Sequence, residues 1–383
     1  MNYTEKERAR LTVICILMLG AMAMQGEEAQ AKKATESLLY SFTGGNDGSA
    51  PVGSLFRDNA GNFYGTTSAG GVGGYGTVFK LAPDGTLTTL HAFTGGKDGG
   101  EPRGGLVSDS GGNLYGVASS GGTIDAGTVF KIAPDGTFSV LHKFGKKSGD
   151  GERPMGNLVA DSADTLYGTT EGGGAHQWGT VYKITPSGKE SILYSFCNCS
   201  DGGGPDAGLL RDGEGNLYGT TGDNSGGTVF ELTPKGVETA LHTFTGDDGE
   251  TPQSPLIADD LGNLYGTTFY SSNGAGLVFK LAPDGTITTL HAFDGTDGAN
   301  PRGGLFMDSH GRLYGTTTTM GKNGHGNVFA LGPQGKFSVV YSFRDRGYPE
   351  ATLTPDPTGN LYGTAESGGA NGMGSVFVLS VAQ

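Results

Sequence analysis

Apolar positions along this chain fall into short runs of four to eight residues, and the runs recur in a fixed order of four. One unit shows all of them: run a (106–109), run b (113–118), run c (127–132) and run d (137–144). β-Branched and aromatic residues dominate each run, and none reaches the length of a helix, so the pattern predicts strands. Turn signals separate them. Asp-Gly at 84–85, 135–136 and 284–285 sits between c and d, and Gly-Asn at 61–62, 112–113, 215–216, 262–263 and 359–360 sits between a and b. Such dipeptides accept the positive φ that a tight hairpin turn requires.

The stretch Asn113-Leu114-Tyr115-Gly116 returns near-verbatim in seven units, centred on Tyr64, Tyr115, Tyr167, Tyr218, Tyr265, Tyr314 and Tyr362, at intervals of 47–52 residues. Four antiparallel strands per unit at this period define a propeller blade. The predicted fold is therefore all-β: a seven-bladed β-propeller of four-stranded antiparallel blades. The chain opens on a d-type run (38–42) and closes on a c-type run (375–379). The N-terminal strand should thus complete the last blade and remove an exposed edge. A β-solenoid, the alternative, has no need for two end fragments that sum to one unit.

Spacing divides the molecule into two faces. From the Pro of each unit to its Tyr is 13 residues in all seven copies, and from the preceding Asp to the Tyr is six. From the aromatic of strand c to the Phe ending strand d is 14 in six copies. The a–b and c–d turns therefore keep their length. The b–c loop varies (Tyr218 to Phe230 is 12, most others 15), and so does the d–a connection (Phe144 to Pro154 is 10, Phe343 to Pro349 is 6). In an up-and-down blade the two variable connections share one face. Variable loops on a rigid scaffold are where recognition resides, so this face is the expected working face.

Within it, two registers differ from copy to copy. The residue after each Pro reads Val52, Arg103, Met155, Asp206, Gln253, Arg302 and Glu350, entering the innermost strand near the mouth of the channel. From these we take Arg103, Asp206, Gln253, Arg302 and Glu350 as candidate ligand-binding residues; the alternative is a solvated rim. The residue before strand c reads Tyr75, Ala126, Trp178, Gly226, Ala275, His325 and Met373. Tyr75, His325 and Trp178, with its neighbour His176, suit stacking on a sugar or peptide; the alternative is a lid packing on its own blade. The ring Asp58, Asp109, Asp161, Asp212, Asp259, Asp308 and Asp356 precedes fixed hairpins and reads as blade framework. His91, His142, His242 and His291 share a register with Tyr40, Tyr194 and Tyr341, which reads as packing rather than catalysis.

Composition narrows the function classes. Glycine supplies 73 of 383 residues without a Gly-X-Y triplet, which excludes collagen and fits many tight turns. Residues 1–31 combine a basic start (Lys6, Arg8, Arg10), an apolar stretch (11–24) and a small-x-small site at Ala29-Gln30-Ala31, the pattern of a secretory signal. We therefore divide the chain into a signal peptide (1–31) and one propeller domain (32–383), secreted or periplasmic and without membrane insertion of the mature chain. The formal charge of −14 argues against nucleic acid as a partner. Cys197 and Cys199 are too few for a disulfide framework or a zinc site, which leaves either no special role or a local bridge in a turn. No cofactor is expected, although the Asp-Gly turns at Asp47, Asp98, Asp150, Asp201, Asp248 and Asp297 have the composition of calcium loops; closure of the turn on the Asp itself is the competing reading. No Gly-x-Ser-x-Gly, His-Glu-x-x-His, Cys-x-x-Cys or P-loop motif occurs, so no catalytic residue is named.

The unit Leu-Tyr-Gly-Thr-Thr followed by Gly-Gly and Gly-Thr-Val-Phe-Lys-Leu, clearest over 64–81 and 265–281, resembles the Gloeo/Verruco (GloVer) tandem repeat of secreted bacterial proteins. The resemblance implies export and a repeat architecture, and supplies no activity or catalytic residues. The chain ends at Gln383, a few residues past the last strand, from which release or periplasmic retention is expected rather than anchoring. The expected function is a monomeric, non-catalytic module that binds a glycan or extracellular protein through the loop-rich face. A polysaccharide lyase or glycoside hydrolase, using upper-face carboxylates with Arg103 or Arg302, and a structural envelope component are the alternatives.

Overall fold

The computed structural model describes residues 34–222, 226–345 and 347–381. The signal-peptide region and the shortened loop of the fourth unit at 223–225 lie outside the described residues. Seven four-stranded antiparallel sheets are present, each in the order a-b-c-d from one edge to the other. In blade 1 the strands are Phe56–Arg57, Phe63–Thr67, Thr77–Leu81 and Leu87–Ala92. In blade 7 strands a to c are Thr354–Pro355, Leu361–Ala365 and Ser375–Ser380, and strand d is Thr35–Ser41 from the other end of the chain. The predicted fold and its closure are both observed. Among the described residues no helix is long and apolar enough to cross a membrane.

The core is seven clusters, one between each pair of neighbouring blades. Alternation in strand b explains them, since successive side chains leave opposite faces. Leu114 packs with Phe130, Val78 and Phe93 on the blade 1 side, whereas Tyr115 joins Leu158, Leu166 and Tyr182 on the blade 3 side. The glycine that follows has a steric cause. A Cβ on Gly116 would lie 2.5 Å from Cζ of Phe130, and the other six motif glycines meet the strand-c aromatic of their own blade at 2.5–2.7 Å.

Hydroxyls stitch the blades. Thr66 donates to the carbonyl of Gly104 in the next blade at 2.9 Å, and Thr364 of blade 7 donates to Gly53 of blade 1 at 3.2 Å, completing the ring. The motif tyrosine is likewise a framework part. Tyr64 donates to Asp58, which also accepts the amides of Ala60 and Asn62, so the Asp ring closes the a–b turns as expected.

Candidate functional site

The site begins with the residue before each Pro. Ala50, Glu101, Arg153, Thr251, Asn300 and Tyr348 hold φ between 43° and 56°, and Gly204 holds 60°. This left-handed conformation is disfavoured for residues with a Cβ and more so before proline. Two hydrogen bonds fix it. The Glu101 amide donates to the carbonyl of Tyr75 in the preceding blade, and the Glu101 carbonyl accepts from Ser119 at the end of strand b in its own blade. The same pair of bonds runs from Arg153 to Ala126 and Glu171, and from Thr251 to Gly226 and Phe269. The chain is thereby turned toward the axis, and the residue after Pro falls on it.

All seven of those residues, Val52, Arg103, Met155, Asp206, Gln253, Arg302 and Glu350, line one axial cavity of about 100 Å³. Small residues follow them because the backbones converge: a Cβ on Gly53 would lie 2.7 Å from the Gly104 carbonyl oxygen. Ser54 and Asn157 line both this cavity and a larger opening of about 560 Å³ beside Arg57 and Asp356.

Charged residues reach the mouth from blades 2, 4, 6 and 7. Arg302 donates from Nη1 to Oε1 and Oε2 of Glu350 at 3.2 and 3.4 Å. Its guanidinium also lies 5.1 Å from the centroid of Phe269, a cation–π contact that holds the side chain across the mouth. Asp206 has a buried Oδ1 with no hydrogen-bond partner. Burial, and then the charge of Glu171, push its carboxyl up to about 7, with Arg302 pulling the other way. Burial and Glu350 likewise raise Glu366, opposed by Arg103 and Arg302. Among the described residues Arg103 makes no ion pair, whereas Arg153 pairs with Glu171 at 3.2 Å.

Glu171, Phe269 and Glu366 were not singled out in the sequence. They occupy one register, the residue after Thr-Thr, which reads Ser68, Ser119, Glu171, Gly222, Phe269, Thr318 and Glu366. It diverges between copies as the register after Pro does, so the same criterion applied one strand further along finds it.

The strand-c register does not reach the cavity. Tyr75 lies over Gly95 of its own blade, where an added Cβ would sit 2.6 Å from the ring. Trp178 is 37% exposed, and its carbonyl accepts from Gly204. His176 is exposed. His325 stands edge-on to Tyr348 with centroids 6.1 Å apart and lines a separate opening with Arg344 and Asp345. These four form an outer ring of loop residues around the axial one.

The d–a aspartates are engaged by their own turns. Asp47 accepts from the amide and hydroxyl of Thr43 and from the Tyr40 hydroxyl. His242 and His291 reach Asp248 and Asp297 at 2.8 and 2.7 Å. The shared His/Tyr register thus has a polar cause besides packing: both rings carry a donor tip to the same carboxylate. Cys197 and Cys199 are bonded to each other across a Cα separation of 5.3 Å. The chain there is a turn with Asn198 at φ 55°, not the extended segment in which a Cys-x-Cys bridge is awkward.

A closed seven-bladed propeller with a charged, asymmetric axial mouth defines the class. The chain belongs to the Gloeobacter/Verrucomicrobia repeat family, which it matches over residues 28–226 and again over 220–383. No curated protein matches its sequence. Among solved structures it is similar to virginiamycin B lyase from Staphylococcus aureus, at 14% identity and a TM-score of 0.66 over 91% of this chain and 99% of that one. It also resembles the extracellular domain assigned to the one-component system BT4673 from B. thetaiotaomicron, at 12% identity and a TM-score of 0.56, covering 91% of this chain and 40% of that one. XC5397 from Xanthomonas campestris, a gluconolactonase, follows at 15% identity and a TM-score of 0.50, with 92% of each chain covered. At these identities the likeness is one of fold.

Proposed function

We propose that this protein is an exported, monomeric binding module that takes a glycan or an extracellular protein at the mouth of its axial channel. One observation carries the reading: seven equivalent residues that differ between otherwise matching repeats converge on one cavity. A scaffold that keeps its blade-building residues constant while varying the axial ring has room there for an asymmetric ligand. Arg103, without an ion pair, and the paired Arg302 favour an anionic group, such as a uronate or an acidic peptide side chain. Trp178, Tyr75, His176 and His325 offer ring faces and polar groups to the parts of a larger ligand that extend beyond the mouth. Export is supported by the pattern of residues 1–31 and by the Cys197–Cys199 bond, since such bonds persist in oxidising compartments.

Acidic and neutral glycans, arrayed together and probed with the mature chain, test the reading. Arg103→Ala and Arg302→Gln should each weaken binding about 10–100-fold, as expected for a hydrogen bond to a charged group of ~1.5–3 kcal/mol. Lys235→Ala, in a c–d turn on the opposite face, should leave it unchanged. Loss with Lys235→Ala and retention in both arginine variants would sink the proposal.

A second reading, a polysaccharide lyase, is favoured by one feature. A carboxyl held up to about 7 beside an arginine has the basicity for proton abstraction next to a carboxylate that the arginine neutralises. Unsaturated-product absorbance on uronate polysaccharides, abolished by Asp206→Asn, supports this reading. Absence of product across acidic substrates removes it.

A further inference from the structure

We propose that His142, Asp150 and Glu190 form a divalent transition-metal site, taking Zn²⁺, in the interface between blades 2 and 3. His142 and Asp150 belong to strand d of blade 2 and the connection after it. Glu190 begins strand d of blade 3. Their donor atoms all lie within 4.8 Å of one another.

The other interfaces show what is unusual here. At the Glu190 register, Phe138 and Phe337 stack flat on His91 and His291 of the preceding blade at 3.6 and 3.7 Å. Between blades 2 and 3 a carboxylate takes the place of that ring. In the other His-bearing blades the Nε2–Asp distance is 2.7–3.2 Å. For His142 and Asp150 it opens to 3.7 Å, and Nε2 has no hydrogen-bond partner. Glu238 and Glu36 share the Glu190 register, but each meets a tyrosine, Tyr194 or Tyr341. At Glu190 a buried carboxylate meets an imidazole.

Burial supplies the independent indication of a ligand. The Glu190 side chain is 5% exposed and Asp150 is 1% exposed. Oε1 of Glu190 is buried and unpartnered, and the ammonium near its other oxygen, Lys147 Nζ, is 3.9 Å away on a side chain 72% exposed. Buried carboxylates are paired or coordinate a metal, and here two of them face an imidazole nitrogen that has no hydrogen-bond partner. An imidazole ligand disfavours calcium and magnesium, which take oxygen donors, and suits zinc at bonds of about 2.0–2.2 Å, with water completing the shell. The second cluster of this kind, Cys197, Cys199 and Asp201, has its sulfurs joined to each other.

The test uses the full mature chain, stripped with chelator and titrated with Zn²⁺ and with Ca²⁺ by calorimetry and thermal melting. Zn²⁺ should give a saturable one-site isotherm and raise Tm, and Ca²⁺ should do neither. Glu190→Phe and His142→Tyr import residues that other blades carry at these registers, so the metal-free Tm should stay close to wild type while the isotherm and the Tm shift are lost. A wild-type chain with no saturable Zn²⁺ binding, or variants that bind as it does, overturns the proposal. Should either variant fail to fold, anomalous scattering at the zinc edge from wild-type crystals decides: a peak among the three side chains supports the site, and its absence there refutes it.

Discussion

Gly116 shows why the most faithful residues of this chain are framework. Its Cβ position is occupied by the Phe130 ring, so Gly116→Ala must push that ring into the cluster between blades 1 and 2. Overpacking of this kind costs about 1–3 kcal/mol, and the midpoint of denaturant unfolding should fall accordingly. Gly116→Ala combined with Phe130→Leu should lose less than the two single changes added together; strict additivity would show that the ring is not the obstacle. Asp206 makes the opposite case, a residue whose burial works against the fold. Its carboxyl rises from 3.8 to about 7 on folding, so the folded state holds a proton that the unfolded chain has released. The penalty is absent below pH 4, grows as pH rises through that window and is complete above 7. Asp206→Asn should therefore match wild type near pH 4 and exceed it at pH 8 by on the order of 1–3 kcal/mol. A constant difference across that range would contradict the assignment. The axial ring was legible because seven aligned copies expose divergence directly. Glu171, Phe269 and Glu366 obeyed the same rule but stood beside an invariant strand. The His142–Glu190 encounter lay beyond reach, because it depends on which register of one blade meets which register of the next.

At the scale of elements, strand identity and order followed from constant spacing, since turns of fixed length admit one register. The observed strand d of blade 2, Phe138–Lys143, sits one residue inside each end of the predicted run. The inward step that delivers each axial residue was not legible. Nothing in X-Pro announces a left-handed φ, and proline disfavours it. It is imposed by the bonds to the neighbouring b–c loop and to the end of strand b. Thr251 carries the clearest cost, being β-branched with φ at 55°. Blade 4 already places Gly204 at this step. Thr251→Gly should relieve about 1–2 kcal/mol of strain, less about 0.5–1 kcal/mol for the freer unfolded chain, giving a small rise in Tm. A clear fall would mean that the threonine side chain contributes more than its backbone costs.

At the scale of the molecule, one sheet holds the ring shut. The three strands of blade 7 from the C-terminal end leave Ser375–Ser380 as an edge until Thr35–Ser41 pairs along it, from Thr35 with Ser380 to Ser41 with Ser375. That pairing closes a circle in which each blade is packed on both sides, so blades 1 and 7 depend on a contact between segments more than 300 residues apart. Deleting residues 34–41 removes the strand but leaves Phe42, which is fully buried with Phe79 and Val376 in the cluster between blades 7 and 1. The shortened chain should still form blades 1 to 6, because the five clusters between those blades contain no residue of the missing strand. It should unfold in two steps rather than one, with blade 7 melting first. Its bare edge is a template for pairing with another chain, so light scattering should report self-association that rises with concentration. Supplying the deleted strand as a peptide should reverse both effects. A shortened chain that stays monomeric and unfolds in a single transition would mean that packing between blades, not the shared sheet, closes the propeller.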